Sequence, residues 1–322
     1  MKRAITLAVI GIPFLFGLAG CGNAPADSSS SPSVPHVHKW GPWERDEDAH
    51  WRECLLCGKS EMDAHEGGIC EVCSDFKVLA LGFLEGGDGA HCDFANECNE
   101  YFPALGKKEG FMYDFSTDFE MLNKKTLEGY DAVMFLNNYP YSQQQRQAFK
   151  EYMDNGGGFI GFHVSAFTTE SDSWSWYFEE FLGSGNFRTN TWNPTPELLK
   201  VESSTHPAVA NVPSTFMSSP NEWYGWTNDL RNNKDIEILL SLDDSTFPVG
   251  DRTGEIWYNE SGTDYYPVAW ANRNYNMIYI NMGHNLMPYN DFEKTSKTFS
   301  EIHENQFILD GLRYVAMANR GD

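Results

Sequence analysis

Three histidines stand where an apolar run or a glycine-rich loop ends: His163 after FIGF, His284 after MIYINMG, and His91 in GGDGAHCDF. Imidazole has an unperturbed pKa of about 6.5, so near neutrality it exchanges protons or, when neutral, ligates a divalent metal. A single histidine is more often a hydrogen-bonded structural residue, but three that follow expected strand ends favour one shared crevice. Glu222 in PNEWYGW and His206 in STHPAV add a carboxylate and a fourth imidazole from an irregular stretch. Such a set binds a divalent metal or moves protons, and the sequence leaves both open. There is no Ser-His-Asp pattern and no phosphate loop, and GGGFIG runs from a helix stop into a strand, the reverse of a dinucleotide fingerprint.

A second chemistry sits upstream. Cys54, Cys57, Cys70 and Cys73 form C-x2-C-x12-C-x2-C, which can present four thiolates tetrahedrally to Zn²⁺. His36, His38, His50 and His65 surround them with Trp40, Trp43 and Trp51, while other large apolar residues are few. A segment of this size with so thin a core needs a staple. The expectation is a structural zinc-ribbon-like module over residues 36–75; a pair of disulfides is the competing reading in an oxidising compartment. His50 or His65 either replaces a cysteine, joins a second metal, or is a surface residue. A site closed by four protein ligands has no open position, so the module is assigned to stability or partner contact. Cys92 and Cys98 remain; on one helix they would lie about 9 Å apart, and a bridge would require Cys92 to sit in the loop before it.

The amino end reads as a targeting segment. Lys2 and Arg3 precede an apolar run from Ala4 to Ala19 that is short for a membrane span, and Leu18, Ala19 and Gly20 lead into Cys21. This resembles a bacterial lipobox, so residues 1–20 are expected to be a signal peptide and Cys21 the lipid-modified residue. Residues 21–35, rich in Ser, Pro and Ala, would then tether the protein to the membrane on the extracytoplasmic side, periplasmic or cell-surface. With 23 Lys+Arg against 46 Asp+Glu the 322-residue chain carries a formal charge of −23, which argues against a nucleic-acid partner.

The elements that must position the histidines come from residue 76 onward. KVLALGFL at 77–84, DAVMFLN at 131–137 and FIGF at 159–162 read as buried strands. Later strands are expected at 236–242, 267–271 and 277–281. Helices are expected at 93–102 and 303–318, and Ser142 with Gln145 forms a capping-box signal for a third. Strands alternating with helices imply a mostly parallel α/β sheet over residues 76–322, covered on both faces and binding its ligand beyond the carboxyl ends of the strands.

The ordered segments GGGFIGFHVSAF, WSWYFEEFLG, THPAV, NEWYGW, YYPVAWA and IYINMGH resemble the ThuA-like family, named for trehalose utilisation. The resemblance implies a flavodoxin-like fold of the class I glutamine amidotransferase-like kind, and disaccharides, glycosides or their 3-keto forms as substrates. It points to His163, His206, Glu222, Tyr224 and His284 as site residues, with a divalent metal at some of them. Where amidotransferase relatives carry a cysteine in G-x-C-x-G, this chain has His163 in GFHVS, which leaves a thiol mechanism unsupported. Thr189 and Asn190 stand where many relatives have a histidine. Two functions follow: a carbohydrate-active enzyme working by His/Glu acid-base or metal-assisted chemistry, or a non-catalytic carbohydrate-binding lipoprotein using the same crevice. Trp174, Trp176, Trp192, Trp223 and Trp226 could offer flat faces to a sugar or serve as core.

Overall fold

The computed structural model describes residues 37–46, 48–65, 73–190, 194–243, 265–285 and 296–318. Cys21, His36, Cys70 and Trp192 lie outside them. The small module contributes β1 (Glu44–Arg45), β2 (Ala49–Glu53) and β3 (Ser60–Ala64), an antiparallel sheet in that order.

The α/β domain follows with β4 (Phe76–Gly82), α1 (Gly89–Glu109), β5 (Phe111–Ser116), α2 (Lys124–Leu127), β6 (Ala132–Leu136), α3 (Gln143–Asp154) and β7 (Gly158–Phe162). It continues through β8 (Phe187–Asn190), β9 (Leu198–Val201), β10 (Thr215–Met217), β11 (Tyr224–Trp226), β12 (Ile236–Leu242), β13 (Pro267–Asn272), β14 (Asn276–Ile280) and α4 (Ile302–Met317). One nine-stranded sheet has the order β10-β9-β12-β13-β14-β7-β6-β4-β5. From β14 to β5 the strands are parallel, and from β13 to β10 the sheet is extended by antiparallel pairing. The parallel part delivers the carboxyl ends of β4, β6, β7 and β14 to one edge.

Side-chain alternation builds two cores. On β4, Val78 and Ala80 face a cluster with Phe94 and Phe102 of α1 and Phe307 and Leu312 of α4, whereas Leu79 and Leu81 face Leu127, Phe149 and Phe178. Helices therefore cover both faces, as a parallel sheet buried on both sides requires. The capping box forms: Ser142 Oγ accepts from the Gln145 N–H while the Gln145 side chain accepts from the Ser142 N–H.

The first helix is longer than the sequence suggested. Asp88 caps it by accepting from the N–H groups of Ala90 and His91, and it runs through Pro103 to Gly110, which sits in the left-handed region at φ 86°. Proline interrupts one hydrogen bond, yet Leu105 and the buried Gly106 beyond it pack on the core and carry the helix onward. The early start is what matters for function, because it places His91 in the first turn. Cys92 and Cys98 both lie inside α1 as free thiols, so the bridge considered above is absent.

At 21 residues, α1 spans about 30 Å. His91 lies at its amino end. The small module meets the other end through the Asp75 N–H, which donates to the Gly110 carbonyl at 2.7 Å, and Lys107 Nζ, 3.5 Å from Asp48.

Candidate active site

His163 is the first residue beyond β7 and adopts φ 41°, a left-handed conformation at a tight strand-to-turn elbow. Such a backbone costs an L residue about 1–2 kcal/mol and is held by contacts. The Tyr279 hydroxyl donates to the His163 carbonyl at 2.9 Å. Asn137, itself left-handed at φ 54° beyond β6, accepts from the Val164 N–H at 3.3 Å and donates to the Gly283 carbonyl at 2.8 Å. This asparagine ties the ends of β6, β7 and β14 together. The elbow thus presents an imidazole at the sheet edge.

Glu222 arrives from the ribbon formed by β8 and β11, in which Tyr224 pairs with Asn190. Its backbone N–H donates to the His284 carbonyl at 2.9 Å. Glu222 Oε2 lies 3.2 Å from His163 Nε2 and 2.8 Å from His284 Nδ1, while Oε1 accepts from the Asn190 amide. His91 completes the group, its ring 4.7 Å from that of His284 and 5.3 Å from that of His163. One ligating atom from each of His91, His163, Glu222 and His284 lies within 4.8 Å of all the others. The Tyr224 ring covers the His163 ring at 4.0 Å.

The centre of the cluster is buried: His163, His284 and Glu222 are 0%, 3% and 4% exposed. Burial, with the neighbouring imidazoles, pushes His91 down to about 2. Burial also lowers His163 to about 4 against the opposing pull of Glu222. For Glu222 burial favours the acid, but hydrogen bonds from His163 and His284 overcome it and hold the carboxyl well below its usual range. Burial and the Glu222 charge raise the Tyr224 phenol well above 10. At neutral pH the group is therefore a carboxylate with His91 and His163 neutral, the charge state a divalent ion requires of its ligands.

Hydrogen bonding then separates the roles of the histidines. Asn281 Oδ1 must be the oxygen, because it accepts the Tyr224 backbone N–H at 2.6 Å. Its other terminus is the NH₂ group, 2.9 Å from His163 Nδ1. His163 Nδ1 is consequently an acceptor, and its proton sits on Nε2, donated to Glu222. By contrast, His91 Nε2 and His284 Nε2 are buried without a hydrogen-bond partner, while His284 Nδ1 faces Glu222. Orphaned buried nitrogens are costly unless something unseen uses them. With Glu222 they form a two-histidine, one-carboxylate set that fits a divalent metal, and His163 supports the carboxylate from behind.

The chain from 83 to 303 matches the family model described as ThuA, trehalose utilisation. The chain belongs to the ThuA family. A ThuA-like protein from Bacteroides uniformis is 34% identical, with a TM-score of 0.65 over 78% of this chain and 95% of that one. A ThuA-like protein from Parabacteroides merdae shares the fold at 15% identity, TM-score 0.50, over 76% of this chain and 90% of that one. No protein of curated function gives a significant match. Family membership supports a role connected with carbohydrates.

Of the residues the sequence singled out, His163, Glu222, Tyr224 and His284 meet at this edge. His206 does not join them: its Nδ1 caps the turn at Pro207–Val209 by accepting from the Ala208 N–H, and its ring packs on Tyr314 of α4. Trp223 and Trp226 are buried core residues, and Trp174 stacks on Tyr177 at 4.3 Å, so these serve packing. His91, placed only on the rim by the sequence, is a full member. Asn190 occupies the position where a relative's histidine was expected and holds Glu222 instead. Asn281 and Asn137 went unnoticed; asparagines directly after strand ends were their only signal. In the small module, Cys54 and Cys57 gather with His38, and Cys73 with His50 and His65; no four-sulfur group forms among the described residues.

Proposed function

We propose that this chain is a lipid-anchored, extracytoplasmic enzyme acting on a glycoside or disaccharide, or its 3-keto form, through a metal-assisted site of His91, Glu222 and His284. The observation that carries the reading is the convergence of these residues on one buried point with ring nitrogens of His91 and His284 unpartnered. A divalent ion there would polarise a substrate oxygen as a Lewis acid.

The chain's own groups do the rest. His163, fixed as the Nε2–H tautomer by Asn281, keeps Glu222 ionised and oriented. The Glu222 carboxylate would take the proton of a C–H that the ion acidifies beside a substrate carbonyl. In a 3-keto-glycoside this breaks the C2–H bond, its electron pair becomes the C1=C2 bond, the C1–O bond breaks, and the departing oxygen takes up the proton. Tyr224 closes the apolar side of His163 and excludes water.

Turnover of a panel of 3-keto-disaccharides and their parent glycosides by the purified chain tests this. Turnover that chelator abolishes and a divalent ion restores is expected; His91→Ala should abolish it as well. Sugar binding without turnover would replace the enzyme with a carbohydrate-binding protein. The anchor is tested separately, since Cys21→Ser should move the protein out of the membrane fraction. Among the described residues no helix is long and apolar enough to cross a membrane.

A further inference from the structure

The amino-terminal module carries more metal-binding groups than one structural zinc uses. It divides them. The hairpin of β2 and β3 pairs His50 with Asp63, and two residues beyond Asp63 the chain brings His65 back over His50. His50 Nδ1 lies 3.3 Å from His65 Nε2, which in turn lies 3.3 Å from Cys73 Sγ. At the other end of β2, Cys54 and Cys57 flank a tight turn in which the Gly58 N–H donates to the Cys54 carbonyl at 2.9 Å, with Gly58 left-handed at φ 71°. The Leu56 N–H points at Cys54 Sγ across 3.5 Å, and Cys57 Sγ is 3.5 Å from His38 Nδ1. In each triad one ligating atom per residue lies within 4.8 Å of the other two.

We propose that this module is a two-metal unit, one Zn²⁺ held by His38, Cys54 and Cys57 and a second by His50, His65 and Cys73.

The distances are those a tetrahedral ion imposes on its ligands. With Zn–N of 2.0–2.1 Å and Zn–S of 2.3 Å, the N···N edge of a tetrahedron is about 3.3 Å and the N···S edge about 3.5 Å. Hydrogen bonding explains the second triad poorly. His65 Nε2 offers either one proton or one lone pair, yet it faces both His50 Nδ1 and Cys73 Sγ at the same separation. A cation between the three satisfies all of them. Burial agrees, for Cys54, Cys73, His50 and His65 are among the few buried side chains of the module. Its large apolar residues Val37, Leu55, Leu56 and Met62 are exposed. A module whose aliphatic residues face solvent while Cys54, Cys73, His50 and His65 face inward is organised around ions rather than a hydrophobic core. Imidazoles in both sites also give a role to histidines that a four-thiolate site would leave unused.

The test is zinc content of the purified full chain in a His91→Ala, Glu222→Gln background, which removes the crevice as a site. The count should be two per chain, released by chelator as two equivalents, with an X-ray absorption shell mixing nitrogen and sulfur. His50→Ala with His65→Ala should lower the count to one, and so should His38→Ala with Cys57→Ser. The count in the chain with the module intact does not depend on how those variants fold. A single zinc in an all-sulfur shell, unchanged by loss of His50 and His65, would overturn the proposal. So would a zinc-free chain with Cys57 in a disulfide.

Discussion

Replacing Asn281 by Asp tests the assignment of the His163 proton with almost no change in shape. Asn281 is fully buried, and its side chain reaches in two directions: its oxygen accepts the Tyr224 N–H at 2.6 Å and its NH₂ faces His163 Nδ1 at 2.9 Å. The aspartate keeps the first bond and turns the second group from donor to acceptor. His163 must then carry a proton on Nδ1, while Nε2–H remains committed to Glu222, so the cation is favoured. A carboxylate charge about 4 Å from the imidazolium at an effective dielectric near 20 contributes at most about 4 kcal/mol, equivalent to about three pH units. The His163 midpoint should therefore rise from about 4 to about 7. Long-range ¹H–¹⁵N correlation spectra of the imidazoles read both the tautomer and the titration. The wild type should show the Nε2–H form throughout the neutral range, and the variant should titrate near neutrality. A wild-type Nδ1–H tautomer, or a variant still neutral at pH 5, would refute the reasoning.

Stability against pH should pass through a maximum near pH 6.5. Histidines held at about 4 and about 2 when folded, His163 and His91, bind protons more readily unfolded, so their contribution is present above 6.5 and lost as pH falls toward 4. Glu304 acts oppositely: burial raises it to about 8 from 4.5, so the stability of its protonated form is lost as pH rises from 4.5 through 8. Glu304→Gln should flatten the alkaline side of the profile in denaturant titrations and steepen the acid side between about 4.5 and 6.5. Asn190→Ala, which frees Glu222 Oε1, should weaken divalent-ion affinity by about 10–100-fold in calorimetric titrations. A side chain at Gly158 would press a methyl against the Val315 carbonyl and to 2.8 Å from the Asp131 carbonyl, so Gly158→Ala should lower thermal stability by about 1–3 kcal/mol. Ser142→Ala should cost about 1 kcal/mol through loss of the α3 cap, measured the same way.

The sequence alone carried whatever depends on local pattern. The apolar run at 236–242 coincides with β12, the Ser142 capping box appears as read, and the alternation of strands and helices gives the parallel part of the sheet. His163 and His284 were legible because each directly follows a buried strand, and parallel strands bring their carboxyl ends to one edge. What the pattern did not contain was any relation between segments far apart in the chain. His206, expected to join the site from an irregular stretch, is directed toward α4 by its short turn. His91 looked peripheral until the Asp88 cap started α1 early enough to aim it at His284. The Asn281 contact that sets the tautomer of His163 spans 118 residues and involves an amide with no periodicity of its own. The spacing of Cys54, Cys57, Cys70 and Cys73 suggested a single cluster; Cys70 lies outside the described residues, and among these Cys54 and Cys57 lie with His38 and Cys73 with His50 and His65. Local propensity and burial period are written in neighbouring residues, but which polar groups meet is decided by chain crossing, and only the folded chain brings those partners within hydrogen-bonding distance.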